Sequence, residues 1–226
     1  MKNIMIVTTY DADTFGALKI AADLKRYHDG SLVLLTVSPL SDSITELLFL
    51  SARDHVEQQN RKKRLEEWNR FATNNKVYVD FPEIKEHHQY GMSGPILKQI
   101  LECFDIDMIV VPPSMQKSRF FIHQLLLKLL HRSQYPLLLL STDQLPSEPI
   151  QRALFLDGLG ESLTAEIENM PFHVIHKSML EQVPQISPLR QLIEKHKIDL
   201  IVQRKQKSST GMDKDLQNLG LPILTV

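Results

Sequence analysis

Residues 3–9 (NIMIVTT) form a short apolar run rich in β-branched side chains, the pattern of a strand buried on both faces. A helical stripe follows over 14–27, with Phe15, Leu18, Ala21, Ala22 and Leu24 on one side, and Asp29-Gly30 ends it. Residues 31–38 (SLVLLTVS) predict a second strand, closed by Pro39. A long polar helix is expected over 43–75, carrying Leu65, Trp68 and Phe71 on its apolar side. Alternation in 76–84 (KVYVDFPEI) predicts the third strand. Ser93 is a suitable N-cap for the next helix, with Pro95 tolerated in its first turn. Residues 106–111 (IDMIVV) read as a buried strand that Pro112-Pro113 breaks, 120–130 as an apolar helix, and 135–140 (YPLLLL) as a fifth strand. Strands alternating with helices in this way predict an α/β fold, parallel pairing through right-handed crossovers in a doubly wound sheet.

After a polar, proline-bearing stretch at 142–149, the same grammar returns. Residues 98–110 (KQILECFDIDMIV) align without a gap to 190–202 (RQLIEKHKIDLIV), with six of thirteen positions identical. Residues 135–138 match 221–224, and the opening strand 4–9 corresponds to 152–157. Three matches in one order imply a duplication. The expected units are 1–142, complete, and 149–226, a reduced copy without room for the long helix and the strand after it.

Composition narrows the function classes. The chain has 226 residues, 42% hydrophobic and 23% charged, with a net charge of -1, so no global basic field calls for nucleic acid or an anionic membrane. The charge run Arg61-Lys62-Lys63-Arg64 reads as a solvated helix face balanced by Glu66 and Glu67. The single cysteine, Cys103, sits between Leu101 and Phe104 and is expected to be buried and structural, in a reducing compartment. No export signal or membrane-length apolar run is visible, so the chain reads as cytoplasmic. His87 and His88 are adjacent and would point to opposite sides of a strand, so no metal site is expected. No nucleophile turn or Walker-type loop occurs, and no catalytic residue is assigned. The helix at 120–130 is apolar nearly all round, the habit of a buried helix, with a partner or membrane-surface face as the alternative.

The element order, with I-D-x-I-V-V, a loop and helix, then x-P-L-L-L-L, resembles the universal stress protein family. That resemblance implies two Rossmann-like units of the adenine nucleotide alpha hydrolase-like type, arranged as a pseudo-twofold tandem. It also implies an Asp-Gly after the first strand and a G-x-x-G, nine-residue, G-[ST] loop after the fourth, whose glycines let backbone N–H groups approach phosphates. Here Thr9 and Tyr10 stand at the Asp-Gly step, Pro112 and Met115 at the loop glycines, and His123-Gln124 at G-[ST]. ATP or AMP is therefore not expected in the first unit, and no cofactor is assigned.

The second unit keeps Asp157-Gly158 and follows its fourth strand with Arg204-Lys205-Gln206-Lys207-Ser208-Ser209-Thr210-Gly211. Asp157, Gly158, Lys205, Lys207, Ser208, Ser209 and Thr210 form the candidate ligand-binding set, for an anion or nucleotide, beside the plainer reading of a solvated loop. The leading expectation is a stress-response adaptor that is not an enzyme and acts through an unidentified protein partner, without nucleic acid or membrane. The alternative is a nucleotide- or anion-binding regulator using the second unit. Family members commonly dimerise through their last strands. The resemblance thus implies that 137–140 and 221–226 pair antiparallel within one chain as an intramolecular pseudo-dimer. A further homodimer through the long helix near Trp68 stays open.

Overall fold

Alternation along β1 (Asn3–Val7) sends Ile4 and Ile6 to one side of a sheet and Met5 and Val7 to the other, and all four are at most 1% exposed. A strand apolar on both faces can only lie inside a sheet covered on both faces, and β1 does so between β2 (Leu32–Ser38) and β4 (Ile106–Val111), parallel to each. The structure, a computed structural model, describes residues 3–25, 28–40, 44–74, 82–141, 149–156, 171–176, 186–205, 216 and 219–226.

The remaining strands are β3 (Ile84–Tyr90), β5 (Leu137–Leu139), β6 (Arg152–Phe155), β7 (His173–His176), β8 (Leu200–Gln203) and β9 (Ile223–Thr225). The helices are α1 (Thr14–Lys25), α2 (Ile44–Asn74), α3 (Gly94–Cys103), α4 (Pro113–Lys117), α5 (Phe121–Arg132) and α6 (Ile186–His196). One nine-stranded sheet runs β3-β2-β1-β4-β5-β9-β8-β6-β7. Every neighbouring pair is parallel except β5 and β9, which are antiparallel, Leu137 opposite Thr225 and Leu139 opposite Ile223. Read outward from that seam, β9-β8-β6-β7 repeats the succession β5-β4-β1-β2, and β3 has no counterpart among the described residues.

The repeat extends to backbone detail. Asp105 after α3 and Lys197 after α6 both take left-handed φ, 49° and 51°, and they occupy matching positions of the two aligned segments. The turn ending each helix is thus the same turn with different side chains. Register corrects the opening match by one residue. Ile4 faces Met108 where Ala153 faces Leu200, so Ile4–Val7 corresponds to 153–156, not to 152–155.

Helices cover the two faces unequally. α1 and the second half of α2 lie over Ile4, Ile6, Leu32 and Leu34, where Phe15 meets Phe71 edge-on at 5.7 Å and Trp68 is 3% exposed. Trp68 is therefore held inside this layer, not displayed on the outer side of α2. The same layer continues through Leu138, Ala153, Phe155 and Val202 into the second unit, so one apolar face spans the seam. α3 and α5 cover the opposite face through Leu97, Ile100, Leu101, Leu126 and Leu130.

Two expectations are corrected. Of the expected third strand, 76–84, residues 76–81 lie outside the described residues, and the described strand that pairs with β2 is 84–90: edge strand β3 pairs Leu32 to Ser38 residue by residue while carrying Lys85, Glu86, His87, His88 and Gln89. An edge strand has one sheet neighbour and a wet side, so it need not show apolar alternation. Cys103 is exposed, because the inward stripe of α3 is Leu97, Ile100 and Leu101, and Cys103 falls off it.

Candidate functional site

Ligands of open α/β sheets settle at the carboxyl ends of strands where the order reverses. In the first unit that point lies between β1 and β4, and the chain fills it with its own groups. β1 leads into Thr8, 2% exposed, whose Oγ1 lies 2.7 Å from Thr14 Oγ1 and accepts the Tyr10 N–H at 2.8 Å. That turn holds Tyr10 at φ 56°, a left-handed conformation a non-glycine residue rarely takes. Its ring goes inward and its hydroxyl donates to Glu86 Oε2 at 2.7 Å.

Opposite, Pro112 and Pro113 follow β4 and start the five-residue α4. Neither proline has an N–H to offer. The next donor, the Ser114 N–H, goes to Asp13 Oδ2 at 2.6 Å, and the Ser114 hydroxyl goes to Asp13 Oδ1 at 2.8 Å. Asp13 thus lays both carboxylate oxygens on the loop after β4. Thr9 donates to Asp11 Oδ2 at 2.6 Å beside it. Gln116 ties the ends of β4 and β5 by donating to Val111 O at 3.0 Å and Leu140 O at 2.8 Å.

His123, at the G-[ST] position of the resemblance, is 3% exposed. Its Nε2 lies 3.2 Å from Val37 O, and a carbonyl only accepts, so Nε2 carries a proton. Its Nδ1 lies 2.7 Å from Ser118 Oγ. The imidazole therefore fastens the start of α5 to the end of β2. These partnerships are tertiary, and no spacing in the sequence signals them. What the sequence does show is the loss of each glycine.

Beside this closed edge a cavity of about 230 Å³ lies between α2 and β3, lined by Tyr10, Thr36, Gln58, Arg61, Glu86 and His88 among others. Arg61 Nε donates to Glu86, and that bond holds the guanidinium above its ordinary pKa. His88 Nδ1 meets Thr36 Oγ1 at 2.8 Å, while His87 turns to the other face and packs edge-on against Phe104 at 5.4 Å. Among the described residues no group of three or more His, Cys, Asp or Glu could hold a metal ion, and no helix is long and apolar enough to cross a membrane.

Of the second-unit set, Asp157, Gly158, Lys207, Ser208, Ser209 and Thr210 lie outside the described residues. Lys205 is described, and it reaches across the seam. Its Nζ donates to Ser133 O at 2.8 Å and Tyr135 O at 2.5 Å, with Leu130 O at 3.5 Å. Those carbonyls end α5 and begin the turn into β5, where a cation complements the helix dipole. Burial lowers the ammonium to about 8, and the same burial, followed by the Lys205 charge, lowers His131.

The comparisons agree with this architecture. No curated protein sequence matches the chain. A universal stress protein from Archaeoglobus fulgidus DSM 4304 is similar in fold, with a TM-score of 0.57 at 14% identity over 99% of this chain and 95% of its own. A functionally unknown protein from Pseudomonas aeruginosa PAO1 is similar at a TM-score of 0.54 and 12% identity, over 100% of this chain and 92% of its own. The model of the universal stress protein family matches residues 1–141, the full βα unit whose switch point is described above. On that match over more than half its length, the chain belongs to the universal stress protein family.

Proposed function

We propose that this stress-response family member works as an adaptor through protein contacts, and that its first unit holds no ATP. One observation carries the reading: Asp13 already places a carboxylate on the Ser114 N–H and hydroxyl, in the loop that offers donors to phosphate in nucleotide-binding members. A phosphate arriving there would meet a like charge, two prolines and a buried His123 in place of free N–H groups. Family membership supports the absence of catalysis, since universal stress proteins are generally not enzymes. The units proposed for this arrangement are 1–142 and 149–226, joined as an intramolecular pseudo-dimer through β5 and β9.

The competing reading is a nucleotide- or anion-binding regulator built on Asp157, Gly158, Lys207, Ser208, Ser209 and Thr210. Lys205 does not support it, because its ammonium is held by the carbonyls of Ser133 and Tyr135 at the end of α5. A thermal-shift and equilibrium-dialysis panel of ATP, ADP and AMP on the full chain separates the two, because a ligand of the native state raises stability as its concentration exceeds Kd. No shift up to millimolar nucleotide is the expected result. Saturable binding that Asp157→Ala abolishes would transfer the function to the second unit, and binding abolished by substitutions at Thr9 or Ser114 would overturn the proposal for the first.

A further inference from the structure

The corner between α4 and α5 presents an aromatic pair to solvent. Phe121 is 77% exposed and Phe120 is 54% exposed, at the carboxyl edge of the sheet. Leu40, 71% exposed, stands three residues beyond Val37, whose carbonyl meets His123 in the first turn of α5. Tyr90, 52% exposed, precedes Gly91, against which Leu40 packs. Four of the five large apolar side chains most exposed among the described residues therefore gather at one edge. Exposed apolar side chains collected at one edge of a folded protein offer a contact surface.

Charge singles out what it contacts. From Met108 to Thr142 the chain contains no Asp or Glu, while Lys117, Arg119, Lys128 and Arg132 contribute positive charge. Lys117 and Arg119 flank the aromatic pair, are exposed, and have no carboxylate partner among the described residues. Among the described residues, carboxylates at this edge of the sheet are engaged elsewhere: Asp13 with Ser114, Asp11 with Thr9, Glu86 with Tyr10 and Arg61. The chain as a whole is at -1, so this cationic field is local.

A second copy is disfavoured, because a twofold contact would set Lys117 and Arg119 against themselves. A peptide partner is usually received in a groove, and Phe121 projects outward instead of lining one. Projecting aromatics flanked by cations suit the interface of a bilayer, where rings sit at headgroup depth and anionic headgroups attract the cations. We propose that residues 117–121 are a peripheral docking corner for an anionic lipid surface, with Phe120 and Phe121 entering the headgroup layer and Lys117 and Arg119 facing the anionic groups. It stands apart from the adaptor reading, and it revises the expectation of no membrane contact that net charge alone suggested.

Co-sedimentation of the full chain with vesicles tests it. Vesicles of phosphatidylcholine with about one third phosphatidylglycerol should bind the protein about tenfold or more tightly than phosphatidylcholine alone, and added salt should weaken that binding. Phe120→Ser/Phe121→Ser should lose about tenfold of the binding, and Lys117→Gln/Arg119→Gln a similar factor together with most of the salt dependence. If the aromatic variant fails to fold, the surface charge pair decides. No binding to the anionic vesicles, or binding unchanged by both variants, overturns the proposal. So does a concentration-dependent dimer that the aromatic variant dissociates without any vesicle binding, which would assign the corner to a second copy.

Discussion

Asp13 and Ser114 are 101 positions apart, and their meeting is chemistry that residue type alone does not announce. An Asp just ahead of a helix ordinarily caps that helix; this one leans across the strand ends to a different element. Asp13→Ala would leave the Ser114 N–H and hydroxyl without their acceptor, at a cost of about 1–3 kcal/mol in urea unfolding. Asp13→Asn keeps an acceptor oxygen and should recover part of that loss. Equal midpoints for wild type and Asp13→Ala would show that water replaces the carboxylate without loss. Lys205 allows a signed pH test. Its folded pKa of about 8 lies below the ordinary 10.5, so between those values the unfolded chain holds more protons than the folded one. The stability of wild type relative to Lys205→Met must then rise as pH increases through that window. The neutral amine is easier to bury and still has two N–H donors for the carbonyls of Ser133 and Tyr135. His131 titrates below its usual range and stays neutral throughout the window. A difference that stays flat or shrinks with pH would mean the ammonium is better solvated than its burial implies.

Among the elements, legibility followed burial. β1, β2 and β4 were readable because a strand covered on both faces admits almost only apolar residues, as IMIV, LVLL and MIVV show. β3 was misplaced by several residues, since at the sheet edge KEHHQ satisfies the ladder as well as VYV would. The glycine losses at the switch point were legible because they depend on residue type at a known spacing. The groups that fill the gap were not, because Asp13, His123 and Gln116 act through partners brought together only by the fold. The one-residue offset of β6 was hidden as well, since two short apolar runs align equally well in adjacent frames. At the seam, Leu138 and Leu224 face each other at 1% and 0% exposure. Leu224→Ala should cost about 2–5 kcal/mol, and the loosened pairing should expose the edge of β5 to other chains. Size-exclusion chromatography with denaturant midpoints reads both effects. A stable monomer with an unchanged midpoint would mean that the seam contributes little.

At the scale of the whole molecule, β5 and β9, the one antiparallel pair of the sheet, belong to one polypeptide. A contact between subunits follows mass action, so dilution separates it and a scarce partner limits it. Within one chain the partner strand is present at a fixed effective concentration, whatever the amount of protein in the cell. The two halves cannot be made in unequal numbers, cannot exchange with other family members, and cannot be drawn apart by a competitor that captures one of them. Unfolding should accordingly have the same midpoint over a hundredfold range of protein concentration, about the span needed to expose a dissociating dimer. A midpoint that climbs with concentration would reveal a further association between chains. Strands facing a copy of themselves must suit their own sequence, whereas Leu137–Leu139 need only suit Ile223–Thr225, so each edge is free to differ from the other.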